Sequence, residues 1–218
     1  MKKVILTMTL AAILTASSAS AKDLAIGFTG GTIGLGLEGT MNIVEKVNLR
    51  VLAAGFNYSK NGSYGTDATF DGKLNMFNAG IVVDYYPFTS GLRLSAGGIY
   101  NGTKVTVDGV PTAGSTYTIN NVTYTSAQVG NLHGEVKYQK VMPYIGLGFG
   151  NTMTNSNFTF GMDFGAMIGT PTASLTATNP TNNATLASNV AAEEKNLKDN
   201  VNKLSVYPVI NLSLSYRF

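Results

Sequence analysis

Few side chains in this 218-residue sequence carry the chemistry from which active sites are built. It has one histidine, His133, and no cysteine. A His-pair metal centre therefore cannot form, and no thiolate can complete one. A membrane-embedded hydrolase wants His beside Ser or Asp; His133 falls in a segment that reads as a surface loop, so an enzyme is not expected. Gly31, Gly34 and Gly36 resemble a phosphate-binding loop, but no helix follows to offer its N-terminus to phosphate. Glycines alternating along a strand more simply keep one side small. No metal, cofactor or nucleic-acid partner is expected. What remains is a sparse set of ionised residues, seven of which fall on one face of alternating segments: Glu38, Arg50, Asp84, Arg93, Lys140, Asp163 and Arg217.

The elements that position these charges follow from composition and period. Charged residues make up 12% of the chain and hydrophobic residues 44%, whereas an ordinary soluble domain carries about 25% charged residues. The charge has been excluded from more than a core, and lipid is the obvious reason. After the first 21 residues no apolar stretch reaches the ~20 residues that a membrane helix needs. Low charge with 21 Tyr and Phe is also the reverse of a disordered composition.

The N-terminus reads as an export leader. Lys2 and Lys3 precede an apolar run from Val4 to Leu14, and Ala19-Ser20-Ala21 supplies the small residues of a cleavage site. Cleavage after Ala21 defines a single domain over residues 22–218. Losing Lys2 and Lys3 reduces 15 basic residues to 13, against 12 acidic ones, so no strongly basic patch for nucleic acid remains.

The rest of the chain alternates with period two. From Leu204 the even positions read Leu, Val, Pro, Ile, Leu, Leu, Tyr and Phe, and the odd positions read Ser, Tyr, Val, Asn, Ser, Ser and Arg. Similar splits start at Phe158 and Leu92. In a soluble sandwich the second face would meet water and carry many charges; here it carries Gly, Ser, Asn and isolated ions. Small polar side chains suit a narrow barrel interior, while Leu and Phe suit hydrocarbon. In lipid every backbone polar group must be paired, which a closed sheet achieves without edges. Eight strands are predicted, at 24–29, 32–42, 47–59, 73–86, 92–105, 134–150, 158–170 and 204–218. The fold expected is an all-β, eight-stranded antiparallel transmembrane barrel with short periplasmic turns and longer extracellular loops at 60–72, 106–133 and 171–203.

Two of these loops have structure of their own. Residues 116–125 alternate on both sides of Asn120-Asn121, as in a hairpin extending the sheet above the membrane. In 171–203, Leu186, Val190, Leu197, Val201 and Leu204 around Glu193, Glu194, Lys195 and Lys198 read as a short amphipathic helix, the alternative being a flexible loop with a solvated charge run.

Alternation sends all seven charges inward and leaves none on the lipid face, where Arg or Lys at the midplane costs ~2–4 kcal/mol. A turn centred at Val44 puts Glu38 opposite Arg50, and one centred between Phe88 and Thr89 puts Asp84 opposite Arg93. These pairs either plug the interior or form a selective path in which the acids attract a cationic solute.

Asp84-Tyr85-Tyr86-Pro87-Phe88 followed by Gly91-Leu92-Arg93-Leu94-Ser95-Ala96-Gly97-Gly98 resembles the strand-turn-strand pattern of many small outer-membrane barrels. The end, Ser213-Leu214-Ser215-Tyr216-Arg217-Phe218, is similar to the terminal strand that such proteins present to the barrel-assembly machinery. A closer resemblance is to the CarO family of outer-membrane proteins associated with carbapenem susceptibility. It is carried by Pro143-Tyr144-Ile145-Gly146-Leu147-Gly148-Phe149, by Gly169-Thr170-Pro171, and by 193–202 leading into Tyr207-Pro208-Val209. The resemblance implies an eight-stranded barrel in outer-membrane lipid and lipopolysaccharide that passes small solutes, with basic amino acids such as ornithine proposed for the family. The competing expectation is a non-conducting barrel whose outer loops bind a surface partner; a soluble periplasmic β-sandwich is the third.

Overall fold

The structure is a computed structural model describing residues 24–64, 68–88, 91–153 and 157–218; the leader assigned to 1–21 lies outside these residues. In chain order the first elements are β1 (Leu24–Gly31), β2 (Gly34–Val44), β3 (Val47–Tyr64), β4 (Ala68–Tyr85), β5 (Leu92–Asn101) and β6 (Lys104–Pro111). Then come β7 (Thr116–Ile119), β8 (Val122–Thr125), α1 (Ser126–Val129), β9 (Leu132–Tyr138) and β10 (Val141–Phe149). The last are β11 (Phe158–Ile168), β12 (Pro171–Ala177), α2 (Ala184–Val201) and β13 (Val206–Arg217).

Eight strands, β1 to β5 with β10, β11 and β13, form a closed antiparallel ring. The first strand seals it by pairing with β2 on one side and β13 on the other. Alternation then sorts the side chains. Phe28, Ile81, Leu94, Ile145, Phe164 and Leu212 are exposed on the perimeter, while Glu38, Arg50, Asp84, Arg93 and Asp163 are buried inside. No helix among the described residues is long and apolar enough to cross a membrane.

The sheet does not end where the ring does. The runs expected as single strands at 92–105 and 134–150 are each broken in two, and 158–170 ends where a second strand begins. The breaks fall at 102–103, 139–140 and 169–170, and all three are level with one another. Below them β5, β10 and β11 pair within the ring; above them β6, β9 and β12 pair with one another and with the upper half of β4. Asn101 helps to make one break: its side-chain oxygen accepts from the Thr103 N–H at 2.7 Å, and the Gly102 N–H turns to the Phe77 carbonyl at 2.6 Å. The segment 60–72, expected as a loop, instead contains the paired ends of β3 and β4.

A small lobe therefore stands on the ring. Asn120 and Asn121, with φ of 49° and 61°, make the left-handed turn joining β7 to β8. Contrary to the expectation from sequence, that hairpin is a separate two-stranded sheet and does not extend the main one; β6, β9 and β12 do that. Helix α2 runs for 18 residues, starting where the Asn183 side chain accepts the Leu186 N–H at 3.1 Å. Its Leu186 and Val190 join Ile119, Tyr124 and Val129 in an apolar core against Leu132 and Leu175.

The β1–β2 turn, Thr32-Ile33, is a two-residue link on this side. Gly34 has φ +107°, and a Cβ there would stand 2.7 Å from the Gly55 backbone. The turn folds over the ring, burying Ile33 to 2% exposure, with its carbonyl held by the Asn78 side-chain amide at 2.9 Å and the Thr32 carbonyl by the Tyr207 hydroxyl at 2.6 Å.

Candidate functional site

The ring encloses two stacked layers. The one nearer the chain termini is a charge network centred on Arg50 of β3. Its Nε and Nη2 bind both oxygens of Asp84 at 2.9 and 3.1 Å, and its Nη1 and Nη2 bind both oxygens of Asp163 at 2.8 and 3.1 Å. One planar guanidinium thus serves two carboxylates in two-point contacts, geometry that Lys cannot reproduce. Arg93 of β5 reaches Asp163 at 2.9 Å and also donates to the Gly150 carbonyl. Ser95 donates to Asp84 at 2.5 Å, and Ser215 to Glu38 at 3.1 Å. Glu38 lies 3.5 Å from Arg50.

Glycines make these reaches across intervening strands feasible. Gly148 of β10 sits in register between Arg93 and Asp163, and a Cβ there would lie 2.5 Å from the Arg93 Nε and 2.8 Å from an Asp163 oxygen. Gly27 of β1 likewise separates Glu38 from Ser215, where a Cβ would lie 2.2 Å from the Ser215 hydroxyl.

The expected pairing partners are displaced by two residues. Thr40, not Glu38, is opposite Arg50, because the tip of the turn falls at Glu45-Lys46 rather than at Val44, an offset of three residues that a one-residue bulge between Asn42 and Val44 reduces to two. Ser95, not Arg93, is opposite Asp84. Because side chains on one face recur every two residues, the slip preserves which side each charge occupies and changes only its neighbours. The two simple pairs become one five-membered cluster, with Asp163 as the member that joins Arg50 to Arg93. Lys140 does not point inward as expected: it lies at the β9–β10 break and is exposed, since alternation does not carry through a broken strand. Arg217 is half-buried at the termini-side mouth, away from the cluster, beside Lys46, Glu45, Asn42, Asn48, Asn151 and Tyr86.

The second layer is apolar. Ile33, Leu52, Val82, Ile99, Met142, Tyr144, Met167 and Val209 are buried together inside the ring, above the charges. Ile99, Met167 and Val209 are the visible exceptions on the otherwise small and polar faces of their strands, and only ring closure shows that the exceptions meet. The cavity between the layers is about 10 Å3, and that within the charge network is also about 10 Å3. The mouth beside Arg217 is wider, about 260 Å3. Among the described residues no group of His, Asp and Glu could hold a metal ion. His133 faces Asp108 at 2.5 Å on the lobe.

No protein-family model matches the sequence, and no curated protein does. Solved structures do. The crystal structure of Acinetobacter baumannii CarO is 21% identical with a TM-score of 0.58, covering 89% of this chain and 97% of that one. The crystal structure of Acinetobacter baumannii CarO2 is 20% identical with a TM-score of 0.60, covering 89% and 98%. Those alignments take in lobe as well as ring, and the chain has the fold of the CarO barrels.

Proposed function

We propose that this protein is an outer-membrane channel of low throughput for small solutes, closed in the state described here. The observation that carries this reading is the order of spaces along the ring: a mouth of about 260 Å3, then a cluster of three acids and two arginines, then a single apolar layer. The acid excess favours cationic solutes, basic amino acids among them. Two methionines and a clamped turn, rather than a rigid wall, provide the closing layer, and Met side chains repack readily. Lipid and lipopolysaccharide surround the ring in this reading, and the barrel-assembly machinery receives β13 with its final Phe218. His133 takes no part.

Reconstitution in planar bilayers, with liposome swelling in ornithine or glycine, tests the proposal. Solute-dependent current that rises in Ile33→Ala supports it; silence from folded wild type and variant alike defeats it. The second reading, a non-conducting barrel that carries a binding lobe, is favoured by the independent apolar core around Leu186 and predicts that silence.

A further inference from the structure

We infer that the charge network is hydrated from the termini-side mouth, with a water molecule bound among Glu38, Arg93 and Thr152. This deepens the channel reading, on which it rests only for the meaning of the hydrated path. The Glu38 Oε2, the Arg93 Nε and the Thr152 Oγ1 each lack a hydrogen-bond partner, although their residues are only 4%, 4% and 8% exposed; the first two make only long ion pairs, to Arg50 at 3.5 Å and Asp84 at 3.7 Å. All three residues line the same cavity of about 10 Å3 within the charge network.

Their chemistry selects the occupant. The carboxylate oxygen accepts only, the guanidinium N–H donates only, and the hydroxyl does both. A metal cation would satisfy Glu38 but meet the Arg93 N–H head-on, and an anion would reverse the conflict. Water donates to Glu38, accepts from Arg93 and exchanges a bond with Thr152. The space matches too, since about 10–15 Å3 of this kind holds one water.

The route runs from the mouth. Tyr86 lines both this cavity and the 260 Å3 mouth; its hydroxyl reaches the Gly150 carbonyl over a long 3.4 Å bond and also bonds the Asn48 side chain. On the far side of Arg50, the other small cavity is walled by Ile33, Leu52, Val82, Ile99, Met167 and Val209 together with Tyr144 and Asn211, so beyond the charge network the walls turn mostly apolar.

Water-to-protein Overhauser spectroscopy on the full folded protein in lipid nanodiscs tests this. A water cross-peak is expected at the Arg93 Nε–H. Thr152→Val should weaken the Arg93 peak several-fold, and Tyr86→Ala should speed its solvent exchange several-fold where Val82→Ala does not. A silent Arg93 Nε–H overturns the bound water. Faster exchange in Val82→Ala alone overturns entry from the mouth. Silence in planar bilayers with the Arg93 peak present removes the channel and leaves the hydration.

Discussion

Ring and lobe share strands β3 and β4 yet obey opposite rules. On the outward face, β4 reads Tyr85, Val83, Ile81, Ala79 and Phe77 through the ring, then Asn75, Lys73 and Asp71 in the lobe. On the inward face it reads Asp84, Val82, Gly80 and Asn78, then Met76, Leu74, Gly72 and Phe70. The alternation is unbroken and only its sign changes, at the level where β5 gives way to β6. In the ring the apolar face is the outer one; in the lobe it is the inner one, where Leu132 and Leu175 meet α2. A side chain's identity thus reports the solvent on its side of the sheet, and one strand can report two solvents.

The comparison is broken most severely at Arg50. Arg50→Ala leaves three buried acids, Glu38, Asp84 and Asp163, with Arg93 as the one remaining arginine of the cluster, an expected loss of about 3–5 kcal/mol seen by denaturant unfolding in detergent. Arg50→Lys should recover only part of it, lacking the two-point contacts. The lobe offers the contrasting experiment. Leu186→Ala, at 0% exposure, should cost about 2–5 kcal/mol, read as faster amide exchange in α2 and β12 while β1 and β13 remain protected. Loss of protection in both regions would show that they are a single cooperative unit.

Gly148→Ala tests geometry without removing charge. Its Cβ displaces Arg93 from Asp163, with about 1–3 kcal/mol of overpacking expected and an altered Arg93 Nη signal by NMR. Smallest is a pH effect confined to the lobe's outer face. The hydrogen bond to His133, with lesser help from Lys73, holds the Asp108 carboxyl below the usual carboxylate range. Its stabilisation is present above that range and is lost as pH falls through the lowered value. Exchange across the β6–β9 pairs should rise only under acid conditions, and His133→Ala should abolish that step while leaving the ring unchanged.

Much of the ring was legible in residue order because period-two alternation is local. It placed Glu38, Arg50, Asp84, Arg93 and Asp163 on one side without any knowledge of their partners. Lys140 shows the limit: parity holds only along an unbroken strand, and the 139–140 break is caused by what β9 and β10 pair with. The lobe was read as loops with a hairpin and a short helix because its β6, β9 and β12 are brief, and two of them are collinear continuations of ring strands.

The order of residue types along the chain determined the eight ring strands, the greasy perimeter and the enclosed charges, since each depends on neighbours two residues away. Tertiary structure alone decided that Asp163 bridges both arginines, that Gly148 and Gly27 make room for contacts between second-neighbour strands, and that Ile99, Met142 and Met167 close the interior. Those facts depend on register, which the position of the β2–β3 turn and a one-residue bulge near Ile43 together shift by two residues from the expected pairing, and on ring closure, which joins residues more than a hundred positions apart.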